Sequence, residues 1–277
     1  MSDKHWSLDD IAWDRFDRTR VDPDLLKIAK AAALVEFNSS DYAAYLCNVF
    51  PDDEAFTKEA LRWAEEEIQH GEALGRWARL ADPDFDFEAA VERFRNGYRI
   101  PIDSTTSVRG SRCGELVSRC IVEVGTSSYY GSLADSTDEP VFKQICQRIA
   151  ADELRHYKLF YTHLRRYLER EKISRLRRFL IALGRVQETE DDELAYAYYA
   201  ANAPVDEPYD RKRWSAAYMV RAYGYYKPLR VQRASAMICK AAGLDPQGRV
   251  SKLLAKLAYN MMQRRHRRLQ ANPALAA

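Results

Sequence analysis

Ile149-Ala150-Ala151-Asp152-Glu153-Leu154-Arg155-His156 sets a glutamate and a histidine three residues apart in the middle of a long helical pattern. Trp63-Ala64-Glu65-Glu66-Glu67-Ile68-Gln69-His70 does the same some eighty positions earlier. On an α-helix, positions i and i+3 share one face. Each segment therefore presents a carboxylate and an imidazole one turn apart, within reach of a single metal ion.

Extending each segment in alternate steps of three and four gives its inward seam. One helix reads Phe56, Ala60, Trp63, Glu67, His70, Leu74, Trp77; the other reads Phe142, Cys146, Ile149, Glu153, His156, Phe160. Two further segments carry the same kind of seam: Ala29, Ala33, Glu36, Ser40, Ala44, Cys47, and Leu116, Cys120, Glu123, Ser127, Tyr130, Ala134. All four are apolar or small except near the middle, where each holds a glutamate on its core face. Glu36 lies in Ala31-Ala32-Ala33-Leu34-Val35-Glu36-Phe37 and Glu123 in Cys120-Ile121-Val122-Glu123-Val124-Gly125, neither of which reads as a wet surface. Glu65 points outward on this phasing, and Glu66 falls beside the site or on the surface.

Four buried carboxylates in one core are untenable without compensation, because each isolated charge costs several kcal/mol to desolvate. Two dications cancel their formal charge. The expected ligands are Glu36, Glu67, His70, Glu123, Glu153 and His156. Oxygen-rich donors with one imidazole per ion favour iron or manganese over zinc or copper. A single glutamate–histidine pair at this spacing is common; two, each matched with a seam glutamate at nearly equal chain separation, is a far more specific signal. A glutamate from each of two helices and Glu-x-x-His from each of two others is the pattern of ferritin-like di-iron bundles.

Helix boundaries follow from caps and breakers. Asp22-Pro23 opens a helix running to about Val49. Asp53 opens a second, closed by Ala81-Asp82-Pro83; a short helix follows near 87–94. Ser111 to Ala134 is a third, read as helix from its length despite Val117, Ile121, Val122 and Val124. Glu139 to Glu171 is a fourth. Further helices follow from Ile173, broken at 202–210 and at Gly243-Leu244-Asp245-Pro246, with the last residues from Asn272 frayed. The expected fold is all-α: a four-helix bundle over 22–172 and a helical extension over 173–277, within one domain of 1–277. Residues 1–21 read as an arm lying on that domain.

The segments around the ligands resemble the soluble acyl-carrier-protein desaturase branch of the ferritin-like superfamily. Glu65-Glu66-Glu67-Ile68-Gln69-His70-Gly71 is similar to that family's EENRHG helix, and Gln144 to His156 to its QICxxIAADEKRH helix. The resemblance spans about 34–164 and is strong only in these two helices. It implies an O2-activating di-iron oxidoreductase that desaturates or oxygenates an organic, fatty-acyl-like substrate. It also places Thr126 beside the oxygen-binding side of the cluster and Asp152 as the electron-transfer aspartate before a ligand glutamate. The cofactor implied is two iron ions, with manganese or a mixed Mn/Fe pair as alternatives. Partners implied are O2, a small-molecule or acyl substrate and an external electron donor such as a ferredoxin, with a homodimer as the assembly considered. The competing function is a ferroxidase or peroxide-scavenging, rubrerythrin-like protein.

Two of these residues also have plain readings. Thr126 can donate to the metal site or bond back to the carbonyl one turn earlier. Asp152 can accept from His70 and fix its tautomer, or lie on the surface. Trp6 and Trp13 read as packing, with an electron route as the alternative. Tyr129, Tyr130, Tyr157 and Tyr161 read as packing near the ligands, with a tyrosyl radical or gating role as the alternative.

Composition narrows the rest. The 277 residues are 47% hydrophobic and 30% charged, with 11 Gly and 10 Pro, too few turn formers for a β-sandwich. A net charge of +2 is too small to imply nucleic-acid binding by the whole protein. The longest uncharged runs fall short of a membrane span, and the N-terminus lacks a secretory apolar core. Cys47, Cys113, Cys120, Cys146 and Cys239 are odd in number and form no CxxC, which points to a reducing cytoplasm; Cys47, Cys120 and Cys146, on the seams, read as small core residues. After Asp245 the chain has no acid but has Arg249, Lys252, Lys256, Arg264, Arg265, Arg267 and Arg268. That helix is expected to pack through Leu253, Leu254, Leu257, Ala258, Met261 and Met262 with its basic face in water; docking an acidic carrier, a redox partner or an anionic membrane is the alternative.

Overall fold

A computed structural model describes residues 5–188 and 192–271. Described residues are helical or in turns and loops, without a strand. The expected fraying from Asn272 lies outside the described residues.

Short 3-10 turns at Leu8–Asp10, Trp13–Arg15 and Arg18–Arg20 form the N-terminal arm. It is tied down by the Ala12 amide donating to Gln144 and by Trp6, which is buried. Helix α1 (Pro23–Phe37) opens at Asp22, whose side chain accepts from the amides of Asp24 and Leu25. Helix α3 (Glu54–Ala81) is capped by Asp53, α4 (Phe87–Gly97) by Asp86, α5 (Arg112–Ala134) by Ser111 and α6 (Pro140–Glu171) by Glu139. The β-branched stretch of α5 is helical, as its length required.

The first long helix is not continuous. It stops at Asn38, and α2 (Ser39–Val49) starts afresh. Ser39 Oγ donates to the Glu36 carbonyl at 2.5 Å, and Asn38 Nδ2 donates to Asp41. Consecutive Asn-Ser-Ser-Asp side chains compete for the backbone bonds that would have carried the helix through. The break rotates the buried face: Ala43, Tyr45, Leu46 and Val49 turn inward, while Ser40 and Ala44 are exposed and Cys47 is half-buried. The expected seam of this segment therefore holds only through Glu36.

Gly71 marks a close approach between α1 and α3. A Cβ there would lie 2.6 Å from the Phe37 amide nitrogen, so only glycine lets the end of α1 sit directly on α3.

Helices α1 and α2 pack on α3, α3 on α6, and α6 along α5. The later helices, α7 (Arg175–Glu188), α8 (Asp192–Asn202), α9 (Arg211–Tyr225), α10 (Pro228–Ala241) and α11 (Arg249–Gln270), wrap the outside. Helices α8 and α9 cover α1, α7 and α10 cover α5, and α11 lies on α9 and α10. No helix among the described residues is long and apolar enough to cross a membrane.

The core divides into two apolar clusters. One holds Leu74, Trp77, Tyr130, Phe142 and Ile149; the other holds Phe56, Trp63, Leu116, Cys120 and Phe160. The stretches of α3, α5 and α6 between them carry Glu67 and His70, Glu123, and Glu153 and His156. A charged layer thus lies between two dry ones, shielded from water at both ends.

Candidate metal centre

Glu36 comes from the last turn of α1, Glu67 and His70 from α3, Glu123 from α5, and Glu153 and His156 from α6. All six are buried, none more than 8% exposed. They form two overlapping groups: Glu36, Glu67, His70 and Glu153; and Glu67, Glu123, Glu153 and His156. Within each, one ligand atom per residue lies within 4.8 Å of the others. Glu67 and Glu153 belong to both. These groups can hold a metal ion.

Both histidines turn Nδ1 toward the carboxylates. His70 Nδ1 is 3.1 Å from Glu67 Oε2 and 3.5 Å from Glu153 Oε1. His156 Nδ1 is 3.1 Å from Glu67 Oε1 and 3.6 Å from Glu123 Oε2. The second of these sets lacks hydrogen-bond alignment: His156 Nδ1, both Glu123 oxygens and Glu153 Oε1 are buried without a hydrogen-bond partner. A buried unpaired polar atom costs about 1–3 kcal/mol. Four of them, all belonging to one ligand group, fit a cation that takes their lone pairs.

The electrostatics agree. Burial, with the Glu67 carboxylate alongside, pushes Glu36 well above the usual carboxyl range. Burial does the same to Glu123, with Glu153 and Glu67 adding to it against the pull of His156. Burial alone would also raise Glu67, but His156 and His70 outweigh it and hold that carboxyl well below its ordinary value. Burial disfavours charged imidazole, yet the surrounding carboxylates raise both His70 and His156 well above the usual histidine value. Without metal, protons supply the compensation that cations would otherwise bring.

The outer nitrogens are tied crosswise. His70 on α3 meets Asp152 of α6, Nε2 to Oδ2 at 3.0 Å; His156 on α6 meets Glu66 of α3, Nε2 to Oε2 at 2.8 Å. Each partner is the acid immediately before a cluster glutamate, so the two halves repeat one motif and exchange its outer residue. Asp152 is buried, not on the surface, and these bonds hold its carboxyl down at about 2 against the opposing effect of burial. Glu66, left open between a place beside the site and the surface, is buried against His156. Glu65 is exposed. Arg155 joins the two outer acids, donating to Asp152 Oδ1 at 2.5 Å and to Glu66 Oε2 at 3.3 Å.

Trp6 packs its ring against His70, stacked with centroids 6.0 Å apart, and donates Nε1–H to Asp152 Oδ2 at 2.6 Å. Thr126 takes the back-bonding position within its helix and also reaches a cluster carboxylate. Its hydroxyl lies 3.2 Å from the Val122 carbonyl and 2.7 Å from Glu153 Oε2. Tyr130 does more than pack: its hydroxyl donates to Glu36 Oε1 at 2.5 Å. Sequence reasoning missed that bond and the Arg155 bridge. The repeated acid-Glu-x-x-His pattern was the available signal for Glu66; nothing local marked Tyr130, whose partner lies on α1.

Of the cysteines, Cys113, Cys120, Cys146 and Cys239 are buried and all five are free thiols. Burial pushes the Cys113 thiol up to about 12. No protein-family model matches the chain, and no curated protein matches it in sequence.

Proposed function

We propose that this chain is a non-haem di-iron oxidoreductase on a ferritin-like bundle, using O2 to desaturate or oxygenate an organic, fatty-acyl-like substrate. The carrying observation is the pair of overlapping ligand groups with Glu67 and Glu153 in common. One histidine, one unshared glutamate and two shared carboxylates per group is a donor set for two adjacent oxygen-loving ions. Glu36 and His70 would serve one ion, Glu123 and His156 the other. Ions held there in the reduced state would supply the electrons that O2 takes up.

The chain's own residues do the remainder. Asp152 and Glu66 hold the imidazoles with Nδ1 inward. The two apolar clusters exclude water from the charged layer. Thr126 holds a proton at Glu153 Oε2, and Tyr130 holds one at Glu36 Oε1. Reducing equivalents come from an external donor such as a ferredoxin.

The test is metal content after anaerobic loading with Fe(II), followed by O2 exposure with and without acyl substrates. The expected result is two ions per chain, lost in Glu67→Ala and Glu153→Ala, and oxidation by O2 that substrate accelerates. Unchanged metal content in either variant would refute the assignment. Rapid multiple turnover with Fe(II) or peroxide alone would replace it with the ferroxidase or peroxidase reading.

A further inference from the structure

Helix α11 is built inside out for a helix lying on a protein core. Its buried residues are Ser251 and Ala255. Its largest apolar residues face the other way: Val250, Leu253, Leu257 and Met261 are each between 54% and 59% exposed. The expected arrangement, with the leucines and methionines packed inward, is therefore wrong for this stripe; Leu254, Ala258 and Met262 are only half-buried. The exposed set recurs at i, i+3, i+7 and i+11, a continuous ridge turned away from buried Ser251 and Ala255. Helix α7 packs Phe179 and Ile181 against the core but also leaves apolar residues in water. Its one buried residue is Ala182, while Leu176, Leu180 and Leu183 are between 43% and 67% exposed. Both helices flank α10.

The charges around the ridge have one sign. Arg249, Lys252 and Lys256 are exposed on α11, and Arg264 and Arg268 continue along it; Arg175 and Arg177 are exposed on α7. No acidic residue follows Asp245. A symmetric contact between two copies through this face would bring those cations together. A helix with exposed leucines and methionines along one line and lysines and arginines beside it suits the interface of an anionic bilayer, where apolar side chains enter the acyl boundary and cationic ones reach the headgroups.

We infer that α11, assisted by α7, docks this protein peripherally on a membrane rich in anionic phospholipid. The docking is independent of the metal chemistry. The test is co-sedimentation of the full chain with vesicles of phosphatidylglycerol and phosphatidylcholine, against vesicles of phosphatidylcholine alone. Binding is expected only with the anionic lipid, weakening as salt rises. The triple variant Leu253→Ser, Leu257→Ser, Met261→Ser, and separately Lys252→Glu with Lys256→Glu, should each weaken it by about tenfold or more. Leu61→Ser, an exposed leucine on α3, should leave binding unchanged. Circular dichroism confirms that each variant is folded. Absence of vesicle binding, or binding insensitive to both α11 variants, would overturn the inference. So would a concentration-dependent dimer that the triple serine variant dissolves in the absence of vesicle binding, which would give the ridge to a second copy, or salt-sensitive capture of an acidic protein alone.

Discussion

Replacing Glu123 by leucine should make the metal-free protein more stable and the metal-loaded protein less so. Glu123 is 1% exposed, neither of its oxygens has a hydrogen-bond partner, and its nearest cation, His156 Nδ1 at 3.6 Å, keeps Glu67 Oε1 at 3.1 Å when Glu123 is removed. Leucine is close to it in volume and carries no polar atom. Removing a buried, unpaired polar group recovers about 1–3 kcal/mol. For a chain of this size that is roughly 2–4 °C of melting temperature per kcal/mol. Metal reverses the ranking. With Fe(II) at about 1,000 times its dissociation constant, the wild type gains roughly 4.1 kcal/mol, more than the variant recovers without metal. The variant lacks one of the four ligands of the second group and gains less. Differential scanning calorimetry in chelator, then under anaerobic Fe(II), reads both arms. The reasoning fails if Glu123→Leu lowers the metal-free melting temperature, or if Fe(II) stabilises the two proteins equally. Either result would mean that Glu123 serves packing or an unseen polar partner, not an ion.

Four further outcomes follow from the same layer. Metal loading must displace protons from Glu36, Glu123, His70 and His156, whose affinities for protons are all raised, so metal affinity should climb as pH rises, with proton release; titration in weakly buffered indicator dye measures both. Asp152→Asn and Glu66→Gln should each reduce metal affinity by about 10–100-fold while leaving the helical content intact, since each removes the group that orients one imidazole. Asp152 holds a depressed carboxyl, so its contribution to stability is complete above its ordinary value and lost as pH falls toward about 2; Asp152→Asn should flatten that acid limb in pH-dependent denaturant melts. Gly71→Ala should cost about 1–3 kcal/mol and weaken metal binding as well, because its Cβ meets the Phe37 backbone beside Glu36; urea melts and metal titration check the two effects.

The six cluster residues were legible because each sits on a helical face that the 3.6-residue period makes readable from near neighbours alone. Helix ends were legible for the same reason: Asp22-Pro23, Asp53, Ser111 and Glu139 cap their own first turns. The break at Asn38 was less so, since Asn-Ser-Ser competes with the helix only weakly and its outcome depends on α1 seating against Gly71. The exposed ridge of α11 was hidden because an amphipathic pattern shows that a helix has an apolar side but not which side meets the core.

Chain order and chemical type, then, were determined by sequence alone: four helices, a glutamate on each, and an imidazole one turn beyond two of them. Tertiary structure alone decided the exchange of Asp152 and Glu66 between the two histidines, the bond from Tyr130 to Glu36 and the outward turn of Leu253, Leu257 and Met261. Periodicity is a local property, carried within a few turns of one helix. Which group meets which across helices depends on their relative rotation and height, and these are set only when the whole bundle packs.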